Sequence, residues 1–316
     1  MSSFHVQPVS EEPVDWGESP HWDESRQRLS YVDCFAKCIH QIDPESGKCD
    51  RFTIMSATNR STPMTTMAIP VTANDQSEPE FLITLGNSIA KYSPASGDIL
   101  KLADIESGSY FNNGKCDSGG RLWVGSFTGE PGNPVTMVRG AGNLYEFSAG
   151  NLVTKFSGLS IPNGITWSSD NRKVFAVDTM ERIINCFDFD TESGNIGNKK
   201  VFFSSNSDFS FKGTEIPYGI TTDVRGNLWL VVYYGGKILN IDCNTGKVIN
   251  KIDLNANMVT SACFGGIEMN ELFVTSSFRG LPSQQVSAQQ AGHTFKVTCF
   301  RDNSFKGCAS NAFTHF

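Results

Sequence analysis

Apolar residues along the chain come in short runs separated by turn chemistry, and two kinds of run alternate from one end to the other. In the first kind a turn leads into an apolar strand. Trp22-Asp23 precedes 29–33, Asp117-Ser118-Gly119-Gly120 precedes 122–124, and Trp167 precedes 174–178; Asp223 and Gly226 precede 228–230, and Phe264-Gly265-Gly266 precedes 272–274. A weaker sixth copy runs from Asn74-Asp75 into 80–83. Asp and Gly stand where a tight hairpin needs them. In the second kind a short strand ends in a turn with Ser or Thr before Gly, at 39–47, 89–97, 186–194 and 238–246, with degenerate versions at 144–150 and 293–297.

Two hairpins per unit, repeated six times at a period of roughly 40–55 residues, predict an all-β fold: a six-bladed β-propeller with four-stranded antiparallel blades around a central channel. A sandwich or an up-and-down barrel would account for many short strands but not for the alternation of two hairpin types. No composition shift divides the chain, so a single domain over 1–316 is expected.

Equivalent positions of successive blades converge on the axis of a propeller. Ten or eleven residues before the first apolar residue of each first-kind strand stand Glu18, Pro70, Asn112, Asn163, Tyr218 and Ser261. Four of these sit in Gly- or Pro-containing turns with side chains able to ligate or hydrogen-bond: Gly17-Glu18-Ser19-Pro20, Asn112-Asn113-Gly114, Pro162-Asn163-Gly164 and Pro217-Tyr218-Gly219. A lone Asn-Gly pair is ordinary turn chemistry. Its recurrence at one phase of several blades points to an axial site.

Composition narrows the function. With 39% hydrophobic and 19% charged residues the chain can bury a large core, and a net charge of -7 disfavours a nucleic-acid partner, which draws on clustered Lys and Arg. The N-terminus has no basic or apolar leader and no window approaches the ~18 apolar residues of a spanning helix, so a cytoplasmic protein without membrane partners is expected. Nine cysteines, an odd number scattered through strand-like segments, read mostly as reduced, buried, small apolar residues. The five histidines are isolated, and His21 reads as a structural residue near the Glu18 turn.

Gly17-Glu18-Ser19-Pro20-His21-Trp22, Phe111-Asn112-Asn113-Gly114-Lys115, Pro162-Asn163-Gly164-Ile165-Thr166-Trp167, Gly226-Asn227-Leu228-Trp229 and Phe264-Gly265-Gly266 together resemble the motifs of the senescence-marker-protein/gluconolactonase family, in the right order over nearly the whole chain. The resemblance implies a propeller with one divalent cation at its centre and lactone hydrolysis. It places the ligating Glu at Glu18, the ligating Asn at Asn163, and a further Asn near metal and substrate at Asn112.

Three departures alter that expectation. The ligating Asp of a Pro-Asp-Gly turn is here Tyr218, and the family's Asn-Arg-Phe-Asn-Asp-Gly reads Ser109-Tyr110-Phe111-Asn112-Asn113-Gly114, which removes an Arg and another Asp. Glu18 is then the only carboxylate among the matched ligands, whereas a hard cation such as Ca²⁺ is held largely by carboxylate charge. The expected pocket is a remade one: Tyr218, Asn112, Asn163 and Tyr110 act on the substrate, and Glu18, Asn113, Phe111, Phe127, Glu130 and Phe278 bind it. Such a pocket suits a flat, hydrophobic small molecule and polarises a carbonyl or quinone-like oxygen. A metal-independent cyclisation or cycloaddition on a natural-product intermediate is the leading expectation. The first alternative is a lactone hydrolase using Ca²⁺, Zn²⁺, Mn²⁺ or Mg²⁺ held by Glu18 and Asn163, with water or Glu130 as a replacement ligand. The second is a non-catalytic metabolite-binding propeller.

Overall fold

Each repeat becomes a blade because its turns are built locally. In the first-kind hairpins the Asp side chain accepts the backbone N–H groups of its own turn and also the indole N–H of the Trp six residues on: Trp123 Nε1 to Asp117 Oδ2 and Trp229 Nε1 to Asp223 Oδ2, both 3.0 Å. The second-kind turns use the same device without the Trp. Asp190 accepts from the Ser193 N–H at 2.7 Å, and Asp242 from the Thr245 N–H at 2.8 Å.

The computed structural model describes residues 4–54, 64–71, 78–299 and 305–315, which puts Asn74-Asp75 of the weak sixth copy outside the described residues. Strand β1 (Phe4–Pro8) stands apart in sequence. Blade 1 is β2 (Gly17–Asp23), β3 (Arg28–Asp33), β4 (Cys38–Ile42) and β5 (Cys49–Thr53); blade 2 is β6 (Ala68–Pro70), β7 (Phe81–Leu85), β8 (Ser88–Ser93) and β9 (Asp98–Asp104). Blade 3 is β10 (Ser109–Cys116), β11 (Leu122–Thr128), β12 (Gly142–Ser148) and β13 (Asn151–Leu159); blade 4 is β14 (Pro162–Trp167), β15 (Lys173–Asp178), β16 (Ile183–Phe189) and β17 (Ile196–Ser204). Blade 5 is β18 (Ile216–Thr222), β19 (Leu228–Tyr233), β20 (Lys237–Ile241) and β21 (Val248–Asp253). Blade 6 joins β22 (Val259–Gly265), β23 (Glu271–Ser276) and β24 (Phe295–Cys299) to β1, which pairs antiparallel with β24 from Phe4↔Cys299 to Pro8↔Phe295. The architecture is a six-bladed propeller with four-stranded antiparallel blades, closed by its first strand.

Apolar side chains fill the spaces between neighbouring blades. Phe111, Val124 and Phe147 of blade 3, for example, pack with Met67, Ile69 and Leu82 of blade 2. Residues 305–315 cross one face of the ring. The Cys308 N–H donates to Thr222 O on blade 5, Asn311 bridges to Cys116 on blade 3, and Phe313 pairs beside Val71 on blade 2, fully buried. No disulfide joins the described cysteines. Five are buried as small apolar side chains, three are intermediate and Cys49 is exposed. Among the described residues no helix is long and apolar enough to cross a membrane.

Candidate active site

The register of the innermost strands explains the recurring motifs. In five blades the pairing between first and second strand skips two residues, leaving Ser19-Pro20, Asn112-Asn113, Asn163-Gly164, Tyr218-Gly219 and Thr260-Ser261 as bulges. A bulge re-aims side chains and tightens the local bend. By pairing, Thr66 is the equivalent in blade 2, since Ala68↔Ile83 matches Ile165↔Ala176. Two residues reached by counting are therefore corrected. Pro70 lies beyond the phase, paired with Phe81 across a longer hairpin connection, and Ser261 stands one residue late because its hairpin is one residue longer. Glu18 precedes its bulge by one residue, yet its buried carboxylate reaches the axis past Ser19, which adopts a left-handed φ of 51°.

Glycine follows Asn163 and Tyr218 for lack of room. A Cβ on Gly164 would stand 2.7 Å from the Ile220 N, and one on Gly219 would stand 2.5 Å from the Ser261 Cα. Real Cβ atoms do not approach so closely, so the inner strands can converge to a narrow waist only with glycine there.

Above the waist a polar network crosses the channel. Nδ2 of Asn113 donates to Glu18 Oε2 at 2.9 Å and to Asn163 Oδ1 at 2.7 Å, so blades 1, 3 and 4 meet at one amide. Glu18 also accepts from Trp16 Nε1 at 3.4 Å and from the Ser19 N–H at 3.2 Å. Asn113 Oδ1 is buried without a hydrogen-bond partner among the described residues, and the Asn163 amide bears on the Tyr218 hydroxyl. Asn112, by contrast, donates to the Pro162 carbonyl at 3.1 Å and accepts at its own carbonyl from Thr66, which ties blades 2, 3 and 4 together.

Tyr218 is half-buried beside Asn163, and its ring stacks on Tyr233 at 5.0 Å. Tyr233 in turn stacks on Trp16 at 5.6 Å, and Trp16 meets Phe35 edge-on. The guanidinium of Arg279 lies 3.5 Å above the Phe35 ring. This aromatic tier was missed by sequence reasoning. Tyr233 comes beside Tyr218 through the pairing of β18 with β19, where Ile216 faces Tyr233, and the only hint in the sequence is the position of Trp16 just before Gly17-Glu18.

Other sequence-predicted residues fall elsewhere. Phe111 is a core side chain, 1% exposed against Tyr145, and so offers no face to a ligand: a correction. Tyr110 is half-buried and stacks on Phe127 across the β10–β11 pair at 5.8 Å. Glu130 is exposed, and its carboxylate accepts from Asn133 Nδ2 within its own loop at 3.0 Å. Phe278 lies against the Gly292 turn.

Burial sets the protonation states. It raises Glu18 to about 7 against the opposing hydrogen bonds from Asn113, Trp16 and Ser19. Burial, with Glu18 and Tyr233 close by, lifts the Tyr218 phenol well above its usual range, so it is an O–H donor at neutral pH. A native carboxyl titrating near 7 against an unfolded value near 4.5 holds a proton that the unfolded chain has released. Its contribution to stability is therefore fully present below about 4.5 and is lost as pH rises through about 7. Glu18→Gln should flatten that segment of the melting-temperature profile, with a difference in unfolding free energy on the order of 3 kcal/mol across the window. An unchanged slope would exclude Glu18 as its source.

With its amides oriented as they stand, the site presents a donor where a hard divalent cation would need an oxygen. A hydrogen-bond donor, the Asn113 amide, stands between the two oxygens that the family resemblance assigns to metal, and the position of the second carboxylate holds a phenol stacked on another.

Comparisons with known proteins agree over nearly the whole chain. The family model described as the SMP-30/gluconolactonase/LRE-like region matches residues 16–278. Regucalcin from Gallus gallus is 31% identical over 303 residues, covering 94% of this chain and 95% of the relative. Among solved structures, a luciferin-regenerating enzyme superposes with a TM-score of 0.85 at 26% identity, covering 98% of this chain and 99% of that one. Regucalcin from Agrobacterium tumefaciens strain C58, described as a calcium-binding protein, superposes with a TM-score of 0.83 at 22% identity, covering 98% and 97%.

Proposed function

The chain belongs to the SMP-30/gluconolactonase/LRE-like family, and from that premise we propose that its axial site is a small-molecule enzyme site in which hydrogen bonds and an aromatic tier, rather than a resident divalent cation, position and polarise the substrate. The observation that carries the proposal is the Asn113 amide, which joins Glu18 to Asn163 by its own N–H groups. The substrate that suits this site is flat and hydrophobic with a carbonyl or quinone-like oxygen. Its face lies along the Tyr218, Tyr233 and Trp16 tier, and its oxygen accepts from the Tyr218 O–H. Glu18, near neutrality, can give or take a proton. Asn112 holds the blades that carry these groups in place.

Cyclisation or cycloaddition of a natural-product intermediate is the reaction class that asks for these resources and no more, because alignment alone can lower a barrier by up to ~7–11 kcal/mol. Cysteines buried as small apolar side chains favour a reducing, cytoplasmic setting. The net charge of -7 favours a small-molecule ligand over nucleic acid.

One observation supports a second reading. Asn113 Oδ1 has no partner, and a half-turn of that amide would replace the donors between Glu18 and Asn163 with an oxygen, as calcium binding of the kind ascribed to the Agrobacterium protein would require. The site would then serve a metal-dependent lactone hydrolase. Elemental analysis after dialysis against Ca²⁺, Zn²⁺ and Mn²⁺ separates the two. The first reading expects well under one equivalent on the wild type and a gain on Asn113→Asp. A stoichiometric cation on the wild type, with lactone turnover abolished by chelator, would replace it with the second.

A further inference from the structure

The channel holds a second polar space below the waist. Three residues beyond Glu18, Asn163 and Tyr218 on their own strands stand His21, Thr166 and Thr221, and Lys115 is two beyond Asn113. At ~3.3 Å per residue this is about 7–10 Å farther along the axis. Together with segment 308–311 these residues line a partly open cavity of about 210 Å³. That is smaller than the ~300–1,000 Å³ usual for organic-ligand pockets and suits a small ion with its water.

Lys115 runs from blade 3 to blade 5, where its Nζ donates to the Ile220 carbonyl at 2.7 Å. An ammonium has three donors, and one carbonyl satisfies one of them. Among the described residues no carboxylate shifts it. The ionisable neighbour that does is the Cys263 thiol, and burial holds the amine down to about 8. The Asp117 and Asp223 carboxylates at this end are committed to their own turns and indoles. His21 is kept neutral by burial, with a value near 4, and the Thr166 and Thr222 hydroxyls lie 2.8 Å apart on the wall. A half-buried cation with spare donors and polar walls, held away from solvent by the segment above it, is favoured when something anionic joins it.

We propose that this lower cavity is an anion-binding site, separate from the site at Glu18, that takes a small oxyanion, a carboxylate or a phosphate, onto the Lys115 ammonium beneath the C-terminal segment. The site stabilises the ring where that segment crosses it, because a ligand bound only by the folded chain raises its stability.

The test is the melting temperature of the full chain titrated with sodium acetate and, separately, with sodium phosphate, each balanced with sodium chloride to constant ionic strength. A saturable rise with at least one of them is expected, the stronger response identifying the class, and Lys115→Met should weaken it by about tenfold or more. No saturable rise with either anion, or an equal rise in Lys115→Met, overturns the proposal. Should Lys115→Met fail to fold, the wild type decides. Peptide-resolved iodoacetamide labelling of Cys308, which lines the cavity, should slow with the effective anion while exposed Cys49 is unaffected. Equal labelling of Cys308 with and without anion overturns it as well.

Discussion

Tyr218→Phe should lower turnover by about 10²–10³-fold, or weaken ligand binding where turnover is not followed, while the melting temperature stays near that of the wild type. The hydroxyl is the only group removed. The ring retains its stack on Tyr233, which in turn rests on Trp16, so the aromatic tier survives the change. A phenol held well above its ordinary pKa donates its proton in a hydrogen bond rather than giving it up, and a buried donor lost from a developing oxyanion is felt in the transition state. Tyr218→Asp is the complementary variant. It sets a second carboxylate near Glu18, whose own ionisation is already disfavoured, and a divalent cation would relieve that repulsion. It should gain metal without improving the natural reaction. An unaltered Tyr218→Phe protein, with a Tyr218→Asp variant that binds metal and only then becomes active, would mean that the wild-type pocket is a decayed lactonase site.

The second large effect is on stability. Gly219→Ala places a methyl group 2.5 Å from the Ser261 Cα and 2.7 Å from the Thr260 carbonyl oxygen, and Gly164→Ala places one 2.9 Å from the Tyr218 carbonyl. Both obstacles are backbone of the next inner strand, which cannot swing aside as a side chain can. Each variant should lose on the order of 3 kcal/mol in urea unfolding, the upper end of overpacking costs. Gly197→Ala, on the outer strand β17 with nothing within 4 Å of the added atom, should stay within about 0.5 kcal/mol of the wild type. Equal losses at all three positions would show that close approach at the narrow waist does not set the cost, since the entropy of the unfolded chain favours Ala over Gly.

These two regions also mark how far the sequence could be read. The blades were legible because their signal is local: an Asp that closes its own turn and takes the indole six residues on leaves the same imprint in blades 3 and 5. The recurrence of Asn163-Gly164 and Tyr218-Gly219 was legible as an axial feature, although the glycines are there for close approach. Counting failed where hairpin length varied, at Pro70 and Ser261, because phase is set by cross-strand pairing and not by separation along the chain. Phe111 looked like a ligand wall beside Asn112, but alternate residues of a strand face opposite ways and its ring went into the blade core. Tyr233 joins Tyr218 across the β18–β19 hairpin, whereas Trp16 lies far away in sequence and joins them only through the closed ring. For Lys115 the informative fact is what does not accompany it, and the charges around a side chain are not written next to it in the sequence.

The pairing of β1 with β24 fixes an order of events during synthesis. β1 is made before five whole blades and its partner β24 after them, so it must wait unpaired while the blades between are made. Contacts this distant in sequence form slowly, and a waiting strand edge is a template for the wrong neighbour. A chain released before Phe295–Cys299 would therefore carry two open edges, one at each end of an incomplete ring, and an obvious partner for either is the matching edge of a second unfinished copy.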